Sequence, residues 1–295
     1  YDPNKWLTLN CDVGPQITFN NGKWFAGRNE QAYERKNRKE IPWMGSHSGA
    51  RQPVPGSGIM VASIGKYFTL KLMRTVDDGK TWDIIDNEIG SNICIEFHPK
   101  ETDIVWAGNK MSTDAGATLK RIPFGKFASD KPEFMGVCYE HPDTIYALSK
   151  NRKKILRSDD KGETWRLYSA AWWSMCRLDT LPAWEVHPSN PDIVYGLGRS
   201  GDIAMFDGTS WRELGVMRIA TKIHGNHVRS IAIDRNHPEI IYAALHEHGS
   251  PFLYRSRDAG KTWEDIQYNY PYNAFGAMCV NPHTGEVMRG TAFGT

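Results

Sequence analysis

Two pairs of histidines have spacings that could hold a divalent metal ion. His224 and His227 are separated by two residues, and His246 and His248 by one. Alternate residues of an extended segment point to the same side, so both imidazoles of the second pair could reach one ion. Glu247 is the only carboxylate that the sequence places among them. We therefore expect no cofactor unless these four histidines bind one ion together.

Tryptophan, tyrosine, arginine and histidine also gather in a few short segments, and such residues concentrate at binding surfaces. These segments are Met44–Arg51, Ala171–Arg177, Arg218–His227, His246–His248 and Tyr268–Asn273. The candidate ligand-binding residues in them are Trp172, Trp173, Arg177, Arg218, Tyr268, Tyr270, His246, Glu247 and His248. The candidate catalytic residues are His47, His224, His227, Tyr272 and Arg51.

Three kinds of site would use this chemistry. In a glycan site, flat indole and phenol rings stack on sugars while arginine and histidine hold hydroxyl or acidic groups. In an enzyme, histidine or tyrosine acts as general acid or base while arginine neutralises a uronic acid carboxylate, as in a lyase. In a protein interface, the same rings are anchors. The alternative without function is that Trp172 and Trp173 cover the core and that the histidines are solvated.

A repeated Ser/Thr-x-Asp-x-Gly-x-Thr-Trp motif supplies the scaffold for these segments. Three copies span Thr75–Trp82, Ser158–Trp165 and Ser256–Trp263, and a fourth, Ser112–Leu119, keeps everything except the Trp. In a tight turn the Asp accepts hydrogen bonds from nearby backbone N–H groups, and the hydroxyl group holds the start of the turn. The Gly adopts a backbone conformation that is costly for other residues, and the Trp buries a large ring against the neighbouring sheet.

The motif resembles the Asp-box (BNR) repeat of β-propellers. That superfamily includes sialidases, xyloglucan-cleaving glycoside hydrolases, the sortilin-type receptor domain and photosystem II assembly factors. In the superfamily the Asp box is a structural turn, usually on the face away from the active centre. The resemblance therefore implies a propeller in which four aspartates are structural: Asp77, Asp114, Asp160 and Asp258.

A second repeat joins an apolar strand, a His-Pro pair and another apolar strand. The pairs begin at His98, His141, His187 and His237, with a variant at Asn281, 43 to 50 residues apart. A period in the forties is typical of propeller blades with about four strands each. We predict an all-β, seven-bladed propeller in one domain, 1–295, with six blades as the alternative. The predicted blades are 16–43, 58–86, 92–122, 134–168, 182–214, 228–267, and 275–295 with 1–10, whose pairing of the two termini closes the ring.

Propeller geometry places the two kinds of loop on opposite faces. Turns between strands 1 and 2 and between strands 3 and 4 share one face, which the His-Pro pairs and Asp boxes should occupy. We therefore expect five histidines to be turn residues: His98, His141, His187, His237 and His283. The links between blades and the turns between strands 2 and 3 share the other face. The segments of the candidate site belong to that face, which predicts a binding site there.

The named enzyme families of the superfamily fit the sequence poorly. A sialidase needs an arginine triad, a Tyr–Glu pair and an early Arg-Ile-Pro strand, but Arg121-Ile122-Pro123 follows the second motif copy. The xyloglucanases use two propellers with catalytic aspartates between them. The carboxylates of the expected link and 2–3 loops are scattered: Glu88, Asp179, Asp202 and Glu247. This argues against a glycosidase with paired carboxylates, but not against a lyase that uses His and Tyr.

The composition of the chain argues against some classes of partner. A net charge of +2 and a pI near 8.2 give no bulk reason to expect nucleic acid. The sequence contains no run of 18 apolar residues, so it does not predict a membrane-spanning segment. Cys94, Cys138 and Cys279 lie in short apolar runs, which predicts buried thiols rather than a disulfide framework.

These observations predict a non-catalytic binding or structural module in a larger extracellular or virion assembly, such as a phage tail. No signal peptide is visible in the chain. The module would bind a glycan or a protein through the link-loop face. The alternative is a carbohydrate-active enzyme, a polysaccharide lyase or glycoside hydrolase, with a His/Tyr/Arg site on the same face.

Overall fold

The chain consists of short antiparallel strands with little helix. The computed structural model describes residues 6–10, 14–18, 25–26, 45–66, 69–87, 89, 93–170, 184–198, 201–219, 228–245, 253–266, 278–281 and 283–289. The chain divides into two compact units, Tyr1–Val137 with Ile145–Arg166, and Cys138–Thr144 with Leu167–Thr295. In the described residues, no helix is long and apolar enough to cross a bilayer.

The first unit begins with a three-stranded sheet: β1 (Trp6–Asn10), β2 (Gly14–Thr18) and β3 (Phe25–Ala26). A four-stranded sheet follows: β4 (Gly45–Arg51), β5 (Met60–Lys66), β6 (Thr69–Thr75) and β7 (Asp83–Asp86). The next sheet has β8 (Ile95–Phe97), β9 (Val105–Ala107), β10 (Lys110–Ser112) and β11 (Lys120–Arg121). After a 3-10 helix (Gly125–Asp130) come β12 (Glu133–Val137), β13 (Ile145–Leu148), β14 (Lys154–Ser158) and β15 (Arg166–Ala170), whose residues after Arg166 are assigned to the second unit.

The second unit has two four-stranded sheets and one strand pair. The first sheet has β16 (Trp184–Val186), β17 (Val194–Leu197), β18 (Ile203–Phe206) and β19 (Trp211–Glu213). A short helix, α1 (Val216–Ile219), follows it. The second sheet has β20 (Val228–Ile233), β21 (Ile241–Leu245), β22 (Leu253–Ser256) and β23 (Glu264–Asp265). The pair is β24 (Met278–Val280) and β25 (Val287–Arg289).

Consecutive sheets lie side by side through their first strands. In the first unit β1 lies beside β4, β4 beside β8 and β8 beside β12; in the second, β16 lies beside β20 and β20 beside β24. This arrangement covers both faces of a sheet, so its second strand is apolar throughout rather than alternating. All four residues of β13 and all five of β21 are buried. Covering both faces favours the uninterrupted Ile, Val, Tyr and Ala runs that the sequence shows.

Each four-stranded sheet has two distinct ends. Because its strands are antiparallel neighbours in chain order, the 1–2 and 3–4 turns leave from the same end, here called the box end. Direct hydrogen bonds join these turns: the N–H of Ala115 donates to the Asp103 carbonyl at 2.7 Å, and that of Ala259 to the Glu239 carbonyl at 2.9 Å. The opposite end, which carries the 2–3 turn and the connections to other sheets, is here called the link end.

The predicted all-β architecture of four-stranded blades is confirmed in five sheets. One boundary differs: residues 45–51, expected to be part of a link, form β4, the first strand of its sheet. At the N-terminus β1 pairs with β2 from Trp6↔Thr18 to Asn10↔Gly14. The single domain, the closure of the ring by the two termini and the number of blades stay predictions.

The cysteine prediction is right for one residue and wrong for another. Cys138 is buried, and its Sγ lies 3.4 Å from the carbonyl oxygens of both His187 and Pro188. Cys94 is half-buried. Cys279 is exposed, because it is the middle residue of β24 and points away from buried Met278. None of these three cysteines forms a disulfide bond within the described part of the chain.

Candidate functional site

The Asp-box turns hold themselves together through one carboxylate and one hydroxyl group. In the last copy, Asp258 accepts hydrogen bonds from the Thr262 N–H at 2.8 Å and from the Thr262 and Ser256 hydroxyls at 2.6 and 2.8 Å. Ser256 Oγ in turn accepts from the Gly260 N–H at 2.8 Å. Every bond lies within seven consecutive residues, so the turn is specified locally.

The other three copies repeat this pattern closely. The Thr N–H to Asp distances are 2.9, 2.8 and 2.8 Å at Asp77, Asp114 and Asp160. In every copy the glycine has a left-handed φ, and so does the residue before it. The paired values are 60° and 81° at Asp78 and Gly79, 54° and 82° at Ala115 and Gly116, 63° and 105° at Lys161 and Gly162, and 55° and 83° at Ala259 and Gly260. The motif therefore bends the chain with two successive left-handed residues, of which only one is glycine.

The box carboxylates are held in their charged form by these bonds. The hydroxyl of Ser112, with those of Thr118 and its N–H, lowers the pKa of Asp114 to about 2. The Thr262 hydroxyl and N–H lower the pKa of Asp258 to about 2. A carboxylate so engaged is a poor general acid or base near neutral pH, which agrees with a structural role.

The motif tryptophans attach the box turns to neighbouring structure. The Trp263 indole N–H donates to the Leu214 carbonyl of the preceding sheet's terminal segment at 3.0 Å. In the first unit, Trp165 packs against Phe124, with ring centroids 4.9 Å apart. Trp82 is only 3% exposed. Each of these three copies thus combines a local turn with an apolar anchor, as expected from the sequence.

The predicted turn histidines all lie in 1–2 turns, and two of them act as acceptors. His98 Nδ1 accepts from the N–H groups of Lys100 and Glu101 at 3.1 and 2.8 Å. His187 Nδ1 accepts from Ser189 and Asn190 at 3.2 and 3.0 Å. This role requires an unprotonated Nδ1. Burial lowers the pKa of His187, although the nearby Glu140 opposes that effect.

The histidine of the His-Pro repeat occupies two different positions in its turn. His98 and His187 are the first residues of their turns, and the first residues of the other three turns are Cys138, Asp234 and Asn281. The backbone N–H of each of these five residues donates to the residue that ends its turn, at 2.8 to 3.1 Å. His141 and His237 lie three residues later and offer their carbonyls instead, to Thr144 and Ile240 at 2.8 Å. Asp234 Oδ1 replaces the imidazole by accepting from Asn236 at 2.9 Å.

Most of the predicted site lies outside the described residues. This holds for Trp172, Trp173, Arg177, His224, His227, His246, Glu247, His248, Tyr268, Tyr270 and Tyr272. Their grouping on one face and the metal site that the four histidines would form therefore stay predictions. Arg218 lies in α1 and His47 in β4, with only the backbone described.

Arg51 lies at the other end of its sheet from the predicted one. It pairs with Met60, and Met60 pairs with Thr75, where the first Asp box begins. Arg51 is therefore a box-end residue, because the segment that was expected to link two blades is a strand that crosses its sheet. The Nε and Nη2 atoms of Arg51 are buried and have no hydrogen-bond partner among the described residues.

One of the scattered carboxylates has a structural role at the link end. Asp202 is 3% exposed and accepts from the N–H groups of Ile203, Val216 and Met217 at 2.7, 3.1 and 3.2 Å. It therefore ties the 2–3 turn of its sheet to α1. Burial raises the pKa of Asp202 against the lowering effect of these hydrogen bonds. Both of its carboxylate oxygens accept backbone hydrogen bonds, which agrees with a structural role.

Sequence reasoning missed a group of charged residues at the link end of the β12–β15 sheet. Glu133 begins β12, and Lys150 and Arg152 lie in the 2–3 turn beside it. Burial raises the pKa of Glu133, while the two cations oppose that effect. The signal in the sequence was Lys150-Asn151-Arg152-Lys153-Lys154, four basic residues in five.

Comparison with known proteins confirms the fold. The sequence matches no protein-family model and no curated protein. The structure resembles the GH74 xyloglucanase of Xanthomonas campestris, with a TM-score of 0.60 and 20% identity over 85% of this chain and 36% of that one. It resembles YCF48 of Cyanidioschyzon merolae, with a TM-score of 0.61 and 14% identity over 94% and 85%. YCF48 bound to D1 peptide gives a TM-score of 0.59 and 14% identity over 92% and 80%.

These likenesses show an Asp-box β-propeller fold, as the motif predicted. Across three GH74 enzymes the chain spans only 35% to 50% of the related chain. The chain therefore has the fold that hydrolases and binding proteins share, and fold alone does not choose between them.

Proposed function

We propose that this chain is a binding propeller whose ligand, a glycan or a protein, is held at the link end of its sheets. The observation that carries the proposal is the contrast between the two ends. In all four Asp boxes the carboxylate and hydroxyl groups are used inside their own turn. By chain order, the Trp-, Tyr- and His-rich segments other than Met44–Arg51 fall in connections between sheets and in 2–3 turns, where no such motif recurs.

Two features of the comparisons support binding. YCF48, which has a similar fold, has been observed with a peptide bound. The chain spans 85% of YCF48 of C. merolae but only 36% of the X. campestris xyloglucanase. The proposal includes a ring of seven sheets closed by the two termini, and a setting in an extracellular or virion assembly. The repeat period supports the ring of seven sheets. The scarcity of paired carboxylates supports a role in an assembly rather than catalysis.

The second candidate is a carbohydrate-active enzyme, which the likeness to GH74 enzymes favours. Two carboxylates at the described link ends, however, have other roles: Asp202 caps α1, and Asp130 pairs with Lys154 at 2.8 Å. A glycosidase would need two carboxyl groups free to face the sugar. A lyase would not need such a pair of carboxyl groups, because it would rely on His47, His224, His227 or Tyr272.

The test compares aromatic substitutions at the two ends. Binding to a panel of glycans and acidic polysaccharides is measured for the wild type, for Trp172→Ala with Trp173→Ala, and for Tyr139→Ala. Tyr139 is a box-end aromatic that is 40% exposed. We expect the tryptophan double variant to bind about tenfold or more weakly and the tyrosine variant to bind normally.

Equal losses in both variants, or a loss in Tyr139→Ala alone, would contradict a link-end site. The same incubations are followed by ultraviolet absorbance for unsaturated uronates and by a reducing-end assay. Release of either product, abolished by substitution of His224 or Tyr272, would replace binding with the enzymatic alternative.

A further inference from the structure

Two adjoining segments at the link end of the first unit are strongly basic. Residues 125–133 contain the 3-10 helix and lead into β12, and residues 149–154 contain the 2–3 turn between β13 and β14. Together they have six basic and two acidic side chains. The basic side chains, here called the basic surface, are Lys126, Lys131, Lys150, Arg152, Lys153 and Lys154.

Hydrogen bonds hold the two segments together at Asp130. The backbone N–H of Lys150 donates to the Asp130 carbonyl at 3.0 Å. Lys154 Nζ donates to Asp130 Oδ2 at 2.8 Å. The turn is fixed from within, because Ser149 Oγ accepts from the N–H groups of Lys153 and Lys154 at 3.2 and 3.0 Å. The basic side chains therefore project from a defined backbone rather than from a free tail.

The two acidic residues of these segments offset only part of the basic charge. Asp130 pairs with Lys154. Glu133 is half-buried at the start of β12, near Lys150 and Arg152. Lys126, Lys131, Lys150 and Lys153 are exposed. The charge that faces solvent is therefore positive.

The box end of the same sheets has the opposite charge. The 1–2 turn 98–104 and the boxes 112–119 and 158–165 contain six acidic and two basic residues. The chain as a whole has a net charge of only +2. A nearly neutral chain thus separates its charge between the two ends of neighbouring sheets, and a concentrated field of one sign attracts ligands of the other.

We propose that the basic surface binds an acidic polysaccharide, one that displays carboxylate or sulfate groups along its length. The proposal rests on the proposed link-end binding and specifies the ligand class. Five of the six cations are lysines, whose ammonium groups act as compact point charges without a required plane. Such groups suit a flexible polyanion, and Lys/Arg-rich segments are typical of surfaces that bind heparin or nucleic acid.

The absence of exposed rings in these two segments separates this ligand from others. Phe124 and Phe127, beside and within the helix, are only 6% and 8% exposed and belong to the core. Single-stranded nucleic acid is normally bound with aromatic stacking as well as charge. A protein interface normally has an aromatic or aliphatic anchor. The described residues of the basic surface supply charge alone.

The experiment measures binding of a heparin oligosaccharide, polygalacturonate and an oligothymidylate of similar charge, at rising salt. The variant is Lys150→Glu with Lys153→Glu. Its control is Lys80→Glu with Lys100→Glu, which makes the same change in net charge at exposed box-end positions. We expect the link-end variant to bind heparin about tenfold or more weakly than the wild type, and the control to bind within about twofold.

Each outcome decides the matter. Binding of heparin but not polygalacturonate would assign the ligand to the sulfated class, and binding of both would assign it to polyanionic glycans in general. Equal weakening in the two variants would overturn the proposal, and so would tighter binding of oligothymidylate. If Trp172→Ala with Trp173→Ala loses a neutral ligand while heparin never binds, the link-end function stands and the polyanion inference is wrong.

Discussion

The two ends of the β8–β11 and β12–β15 sheets follow different rules, although the same strands connect them. At the box end, Asp114 and Asp160 repeat one hydrogen-bond pattern to within a few tenths of an ångström. At the link end, the turn Gly108–Asn109 of one sheet has no counterpart to the basic turn 149–154 of the other. A repeated scaffold thus needs only one end to be uniform, and the other end is available for binding.

A partial copy of the motif in the second unit retains some of the interactions of a complete Asp box. Residues 207–211 keep the aspartate in a shorter turn, where Asp207 Oδ1 accepts from the N–H groups of Thr209 and Ser210, both at 2.9 Å. The Thr209 hydroxyl, with these N–H groups, lowers the pKa of Asp207 to about 2. The tryptophan is also kept, since the Trp211 indole N–H donates to Ser169 Oγ at 2.9 Å. The partial copy thus keeps the carboxylate acceptor, a left-handed glycine at Gly208, a threonine hydroxyl donor and the ring, and it lacks the Ser or Thr that begins a complete box.

The comparison predicts that box-end substitutions change stability, and the largest effect should come from Gly260→Ala. Its φ is +83°, and an added Cβ would lie 2.6 Å from Leu214 Cδ1. We expect a loss of about 3 kcal/mol in the free energy of unfolding, measured by urea denaturation. Gly56→Ala is the control, because its φ is +74° but nothing lies within 4 Å of the added Cβ. It should cost only about 1 kcal/mol; equal costs would mean that packing against Leu214 has no role.

Removal of a box carboxylate should have the next largest effect. Asp160→Ala leaves the Thr164 N–H and the Ser158 hydroxyl without their acceptor. We expect a loss of about 2 kcal/mol by the same measurement, because several bonds to one charged group disappear together. Glu163→Ala changes an exposed carboxylate of the same turn and should be nearly neutral. A similar loss in both variants would mean that general charge, not the turn, is responsible.

Acid should destabilise the protein by a smaller amount, through the turn in which His187 Nδ1 accepts hydrogen bonds. Burial lowers the pKa of His187, so the unfolded chain takes up its proton at a higher pH than the folded chain. Stability should therefore fall as the pH drops below the ordinary histidine value of about 6.5. His187→Asn should flatten this dependence, because Asn281 already plays the acceptor role by binding the His283 N–H at 2.9 Å. An unchanged slope of stability against pH between 7.5 and 5.5 would contradict this account.

Link-end substitutions should have the smallest effect on stability. Lys150→Ala and Lys153→Ala change exposed side chains whose turn is held by its backbone and by Ser149. We expect the free energy of unfolding to change by less than about 0.5 kcal/mol, by urea denaturation. A loss as large as that of Asp160→Ala would erase the distinction between an end that stabilises the fold and an end that binds.

The turns could be predicted from the sequence because their bonds are local. The roles of Asp258, Ser256 and Gly260 follow from residue types within one short segment. The His-Pro repeat was read correctly as a set of turns, but not in its register. His141 resembles His98 in sequence, yet Cys138 occupies the position equivalent to His98. That position depends on which residues pair across β12 and β13, and the dipeptide alone does not determine the pairing.

By itself, the sequence determined the β-propeller class and the geometry of each Asp box, because both depend on short-range hydrogen bonds and a repeated pattern of apolar strands. Only the tertiary structure decided that Arg51 lies at the box end, that Asp202 caps α1 and that residues 125–133 meet residues 149–154. Those placements depend on strand register and on packing between segments far apart in the chain. Neither is encoded in the spacing of any one motif.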